Sequence, residues 1–352
     1  MRSLYFLVPG DLQSATGGYA YDRRIVEGLL ALRWDVRVLT LDSSFPLPPP
    51  AALSHAQRLL QDIPDDALVI IDGLALGAMP GVLALHAARL RLLALVHHPL
   101  AAESGLSAEL ARSLESSERQ ALALVRHVVV TSAATKDALG SYGVAPERIS
   151  VVEPGTDPVT RVCASRRAQG LRILCVAAVI ARKGHEVLLQ ALAPLAQRRW
   201  HLTCVGNVTR DPATVQRLEA LLRHLALTER VAFTGEVDAA QLADFFGNTD
   251  LFVMPALYEG YGMAVAEALS YGLPVIATRT GAIPALLGQA GILVPPGDTS
   301  SLNAALLRVL DRPSELAALA RQAQLRRAGL PRWPTACRAM AQVIETVALG
   351  AY

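Results

Sequence analysis

Met254-Pro255-Ala256-Leu257-Tyr258-Glu259-Gly260-Tyr261-Gly262-Met263-Ala264-Val265-Ala266-Glu267-Ala268-Leu269 is the stretch that decides the fold of this 352-residue chain. The run 250–254 is apolar almost without alternation, as a parallel strand covered on both faces should be. A loop with two glycines follows, and a helix begins near Gly262. The free first-turn amides of that helix, with the positive end of its dipole, make a ready site for a phosphate. Gly260 and Gly262 let backbone approach a ligand closely. Glu259 falls in the loop and Glu267 in the second helical turn, so the two carboxylates can grip hydroxyls at two ends of one ligand. A lone helix glutamate is usually just solvated. Here Ala266, Ala268 and Leu269 flank Glu267, and an unpaired carboxylate in so apolar a turn would be costly.

Outward from this stretch the same strand–helix unit recurs. Toward the N-terminus the apolar runs are 3–8, 35–41, 67–71, 91–96, 127–131 and 149–152, with helical segments such as 19–33 and 107–125 between them. Segment 154–170 breaks the series with Pro154-Gly155-Thr156-Asp157-Pro158 and a polar stretch through Arg166-Arg167. The series then restarts at 171–177, 201–205, 230–234, 250–254, 274–277 and 292–294. A length of 352 residues also suits two domains at about 150 residues each. The expected class is therefore α/β, with two Rossmann-like doubly wound parallel sheets facing across a cleft at their carboxyl ends. The boundaries are an N-terminal, acceptor-side domain over 1–157, a linker over 158–170 and a C-terminal domain over 171–332. A last helix over 333–352 either caps the second domain or crosses back to the first.

Composition narrows the function. Lys and Arg number 33 against 31 acidic residues, with no basic tract, which argues against nucleic acid as a partner. No window approaches the roughly 20 apolar residues of a membrane span. The opening MRSLYFLVPGD is too short for a signal-peptide core and reads as a strand, so a cytoplasmic location is expected. Cys163, Cys175, Cys204 and Cys337 have no metal-ligand spacing, and Cys175 and Cys204 read as buried thiols in strands. Neither G-x-G-x-x-G nor G-x-x-x-x-G-K-[ST] occurs, which disfavours a nicotinamide dehydrogenase and a P-loop enzyme.

Glu259 and Glu267, seven residues apart, resemble the E-x7-E signature of retaining GT-B glycosyltransferases, the family 4-like, group 1 proteins. Tyr271-Gly272-Leu273-Pro274-Val275-Ile276-Ala277-Thr278 through Gly281, and Gly291-Ile292-Leu293-Val294-Pro295-Pro296-Gly297-Asp298, extend the resemblance. It implies that Glu259 holds donor-sugar hydroxyls and Glu267 the ribose of a nucleotide. Gly260 and Tyr261 would bind the donor, the amides of Gly262 and Met263 would meet the diphosphate, and the base would rest near Glu236-Val237. The family's phosphate-binding Lys is matched by Lys183, just before a helix, where it would stabilise the departing nucleoside diphosphate. An Arg usually stands about five residues earlier. Ala178 occupies that place, with Arg182 as a substitute or an ordinary surface cation. Thr16-Gly17-Gly18-Tyr19 resembles the family's glycine-rich loop, and also suits a plain helix start capped by Thr16. His97, after the strand 91–96, matches a histidine that contacts sugar or acceptor, with His98 as the fallback.

The resemblance thus implies a hexosyl-transferring enzyme of carbohydrate biosynthesis. It would move sugar from a nucleotide-diphosphate donor to an acceptor hydroxyl with retention and no cofactor. The sequence has no evident carboxylate cluster for a metal-diphosphate site, so metal independence is expected. Lys183, the helix amides and closure over the linker would supply positioning and charge stabilisation. The acceptor stays open between a saccharide, a small molecule and a lipid-linked one. Peripheral membrane contact through the helix 107–126 also stays open, although Glu109, Glu115 and Glu118 interrupt its arginines. An epimerase, a phosphorylase and a degenerate binding protein are the competing expectations.

Overall fold

A computed structural model describes residues 2–103, 105–159 and 170–350. Most of the expected linker, with Cys163 and Arg166-Arg167, lies outside the described residues. The chain divides into two compact units, Met1–Gly155 with Pro331–Tyr352, and Thr156–Leu330. Each is built on a six-stranded sheet whose strands pair in parallel.

In the first unit the strands are β1 (Ser3–Pro9), β2 (Asp35–Leu41), β3 (Leu68–Asp72), β4 (Arg91–Val96), β5 (His127–Val130) and β6 (Ile149–Val151). Their order is β2-β1-β3-β4-β5-β6. In the second unit they are β7 (Leu171–Val176), β8 (Trp200–Val205), β9 (Val231–Gly235), β10 (Leu251–Met254), β11 (Val275–Thr278) and β12 (Gly291–Val294). Here the order is β12-β11-β10-β7-β8-β9. Every strand end lies within one residue of the apolar run that announced it. The cover is thinnest on the outer strand β2, where Arg37, Val38 and Thr40 are exposed; on inner strands Ser3 of β1 and His201 of β8 are exposed too.

The two-residue period of a strand explains how each sheet feeds two cores. On β7, β8 and β10, Ile173, Cys175, Leu202, Cys204, Leu251 and Val253 point into one apolar cluster. Leu174, Val205, Phe252 and Met254 point into another. Burying each large side chain is worth about 1.5–3 kcal/mol, so a one-residue slip of any central strand would forfeit both clusters.

The last helix, Trp333–Ala348, belongs to the first unit and packs on the helix Gly17–Ala31. Gly28 makes that contact possible, because a Cβ there would sit 2.1 Å from Cys337 Sγ. The Cys337 thiol donates to the carbonyl of Arg24 at 3.4 Å, and the Arg24 guanidinium lies over the Trp333 ring.

The two sheets are wound differently. In the first, the chain reverses its direction of travel across the sheet between β1 and β3. In the second it does so between β7 and β10. Ligands of open α/β sheets bind outside the carboxyl ends of the strands at such reversals.

Candidate active site

In the second unit the loops that follow β7 and β10 are joined. The turn Ala181–Lys183 ends at Gly184, whose left-handed backbone (φ 69°) carries no side chain against the carbonyl of Pro255. A Cβ there would approach that oxygen to 2.0 Å, so glycine is required for the two loops to touch. The amide of Leu257 then donates to Arg182 O at 2.8 Å, and the Arg182 guanidinium donates to Tyr258 O at 3.1 Å. Lys183 Nζ donates to Glu259 Oε2 at 2.5 Å, with both side chains 15% exposed. Arg182 and Lys183 therefore reach the same short loop, although they are neighbours in the chain.

The other flank of this loop is held by the segment after β11. The Thr278 hydroxyl donates to Ala256 O at 2.5 Å, and the amide of Ala282 donates to Gly260 O at 3.1 Å. A Cβ on Gly281 would lie 1.6 Å from Glu259 O, so this glycine too is a condition of the loop's shape. Gly262 is left-handed (φ 93°) and starts the helix Met263–Ser270 with no side-chain cap. The positive end of that helix is thus presented beside the Lys183–Glu259 pair.

Glu267 lies one turn further on. Burial, and then the charge of Asp157, push its carboxyl up to about 7. Among the described residues it has no ion-pair partner. The Tyr261 side chain, expected at the donor, is packed in the apolar cluster with Ile283 and Val265. Glu236 accepts from the Asn207 amide at 3.0 Å, and Val237 packs against the same cluster. Cys175 and Cys204, distant in sequence, face each other across β7 and β8 as buried free thiols.

The first unit gathers the remaining expected residues. Thr16 Oγ1 accepts from the amide of Tyr19, so it caps the helix Gly17–Ala31 with Gly17 and Gly18 in the first turn. A Cβ on Gly18 would lie 3.4 Å from His97 Cδ2, which puts the glycine pair directly against the imidazole. His97 follows β4, and its Nε2 lies 3.1 Å from Asp22 Oδ1 and 3.5 Å from Asp72 Oδ2. Burial alone would lower the imidazole. The charge and hydrogen bond of Asp22, then those of Asp72, outweigh it and raise His97 to about 10. Burial likewise pushes Asp22 up to about 7, against the pull of His97. His98 turns elsewhere, toward Glu103 at 3.6 Å.

Asp22 and Asp72 escaped the sequence reading. Asp72 did leave a signal, as the acid ending the apolar strand Leu68–Asp72. Among the described residues, Asp22, Asp72 and His97 are the group whose donor atoms converge within 4.8 Å, close enough for a metal. In this arrangement the His97 ring nitrogen lies between the two carboxylates, 3.1 Å from Asp22 Oδ1 and 3.5 Å from Asp72 Oδ2.

Models of known families cover most of the chain. The Glycosyltransferase Family 4 model matches residues 17–159, and the model described as Glycosyl transferases group 1 matches residues 170–312. The chain belongs to the group 1, family 4-like glycosyltransferases.

This glycosyltransferase is 29% identical over 322 residues to the MMP alpha-(1->4)-mannosyltransferase of Mycolicibacterium hassiacum, covering 87% of this chain and 77% of that one. It is 32% identical to a D-inositol 3-phosphate glycosyltransferase of Xylanimonas cellulosilytica over 61% of this chain, and spans about half of that relative (55%). Among solved structures it matches sucrose-phosphate synthase from Thermosynechococcus elongatus with a TM-score of 0.85 at 22% identity, over 100% of both chains. It also matches Anabaena HepE, solved with UDP-glucose, with a TM-score of 0.77 at 18% identity, over 98% of this chain and 100% of that one. These likenesses establish the GT-B fold. Among the described residues, no helix of the glycosyltransferase is long and apolar enough to cross a membrane.

Proposed function

We propose that this glycosyltransferase takes its sugar from a nucleoside-diphosphate donor and transfers it to an acceptor hydroxyl with retention of configuration. The observation that carries this is the Lys183–Glu259 pair beside the uncapped start of the helix Met263–Ser270. Without donor, each partner neutralises the other. A diphosphate at the helix start draws Lys183 away, which frees Glu259 to accept from sugar hydroxyls. The lysine and the first-turn amides then stabilise the charge that develops on the departing nucleoside diphosphate. Glu267, held near 7 by burial, becomes a good acceptor once two ribose hydroxyls donate to it, because hydrogen bonds to the charged form favour it. The base rests near Glu236 and Val237.

Retention follows if the acceptor attacks the face the nucleotide leaves, with a leaving-phosphate oxygen taking the acceptor proton. His97 donates to a sugar or acceptor oxygen. Charge neutralisation by Lys183, Arg182 and backbone makes the reaction metal-independent in this proposal. Arg182, anchored on Tyr258 O, supplies the second cation that Ala178 does not, which favours an active enzyme over a degenerate binder. The UDP-glucose bound in the HepE structure supports a nucleotide sugar as donor. The acceptor is a saccharide, a small molecule or a lipid-linked glycan.

NMR of the product anomeric proton, with EDTA present, tests the proposal. Transfer with the donor's own configuration is expected, and an inverted product or transfer abolished by EDTA would overturn it.

A further inference from the structure

The cluster around His97 has more acid than a structural histidine needs. Asp22 comes from the helix after β1, Asp72 from the end of β3 and His97 from the end of β4. Two carboxylates, both essentially buried, converge on one ring nitrogen. Asp72 Oδ1 is occupied by the amide of Leu74 at 2.7 Å, which leaves Oδ2 for the ring. Asp22 Oδ2 is buried and has no partner. The ring is also fixed from other sides. Tyr21 meets it edge-on at 5.4 Å between centroids, and the hydroxyls of Thr131 and Thr135 donate to the His97 carbonyl. The titratable groups facing the imidazole are thus Asp22 and Tyr21 from one helix and Asp72 from β3; Gly18, Thr131 and Thr135 carry no charge. Nδ1 is not among the buried, unpartnered atoms, and the ring remains 17% exposed.

We propose that Asp22 and Asp72 are positioning residues for the transfer: they clamp the Nε2–H of His97 between them, keep the ring an imidazolium, and so present Nδ1–H to the substrate as a fixed cationic donor. Two acceptors on one nitrogen fix both the tautomer and the ring plane. A buried pair of carboxylates is compensated only if the imidazole keeps its charge. His97 therefore holds its proton throughout, while the acceptor proton goes to the leaving phosphate. The cation stabilises oxygen charge on the sugar or the acceptor by hydrogen bonding alone. This rests on the assignment of His97 to the substrate, and the test separates the two.

The experiment is a titration of the His97 ring by heteronuclear NMR on the full chain, with the signal assigned by loss in His97→Gln, alongside pH–rate profiles. In the wild type the ring should stay doubly protonated until about pH 10. In Asp72→Asn and Asp22→Asn its midpoint should drop by about 1–3 units. Transfer should then fall on the alkaline side at that same midpoint, mainly in kcat, and Asp72→Glu should restore it. A wild-type midpoint near the ordinary histidine value, or a midpoint unmoved in both Asn variants, would overturn the clamp. So would selective broadening of the His97 signal by added Mn2+, which would make the cluster a cation site. If the Asn variants do not fold, the wild-type midpoint decides alone. A wild type with the high midpoint but no glycosyl transfer would overturn the assignment of His97 to the reaction and leave the clamp standing.

Discussion

The two units place charge at equivalent points of differently wound sheets. Between β1 and β3 the first unit buries two carboxylates around one imidazole, with His97 17% and Asp22 0% exposed. Between β7 and β10 the second unit sets two cations and a helix start against two carboxylates, and its central pair is 15% exposed on both sides. At both reversals, consecutive loops leave toward opposite faces and open a crevice at the strand ends. The difference lies in what the charges are bonded to. Those of the first unit are committed to one another around two carboxylates that are only 0% and 2% exposed, so they hold a shape. Those of the second are paired near solvent and uncapped, so an incoming ligand can exchange them.

The largest effect should come from breaking the second unit's exchange. Lys183→Ala is expected to lower kcat by about 100- to 1000-fold, the usual cost of removing one charge-stabilising donor, and steady-state kinetics would read it. Wild-type transfer in the Lys183→Ala, Glu259→Ala double variant would sink the assignment.

Glycines sharpen the contrast. Gly281→Ala drives a methyl into Glu259 O at a left-handed position (φ 51°), so it should cost about 3 kcal/mol in denaturant unfolding and weaken donor binding. Gly18→Ala, helical and 3.4 Å from His97, meets ordinary contact and should leave stability within about 1 kcal/mol. Equal losses from the two would erase the distinction between a loop built on backbone approach and a plain helix start.

Much of this was legible in advance, for identifiable reasons. A parallel strand buried on both faces must be apolar throughout, so runs such as Leu251–Met254 announce themselves. Glu259 was visible in the glycine-containing loop after the strand Leu251–Met254, and Lys183 through the family resemblance and its place just before a helix. Asp22 was not, because a single acid within a helix looks solvated until tertiary packing brings Asp72 and His97 against it. The pairing of Lys183 with Glu259 across 76 positions was equally hidden. The strand orders were hidden too, since alternating β and α segments suit either winding.

Smaller effects come from buried carboxyls. Glu267 is raised from 4.5 to about 7, so the folded chain binds its proton more tightly than the unfolded chain does. Ionising it costs stability in full above about pH 7, and the cost fades as pH falls toward 4.5. Asp22 and Glu118, also raised to about 7, carry the same sign. The ligand-free protein should therefore melt higher at pH 6 than at pH 8. Glu267→Gln should recover about 1–2 kcal/mol at pH 8 while weakening nucleotide binding about tenfold, as calorimetry would show. His97 acts oppositely: its stabilisation is complete below 6.5 and is lost as pH rises through about 10.

The central claim, a nucleoside-diphosphate sugar held by the second unit, is tested most directly by thermal shift in EDTA. Wild type and Lys183→Ala would be screened against UDP-, GDP-, ADP- and dTDP-sugars. One nucleotide family should stabilise the wild type, by about 2.7 kcal/mol at a hundredfold excess over Kd, and should lose most of that effect in the variant. No shift with any donor, or an equal shift in both proteins, would contradict the account.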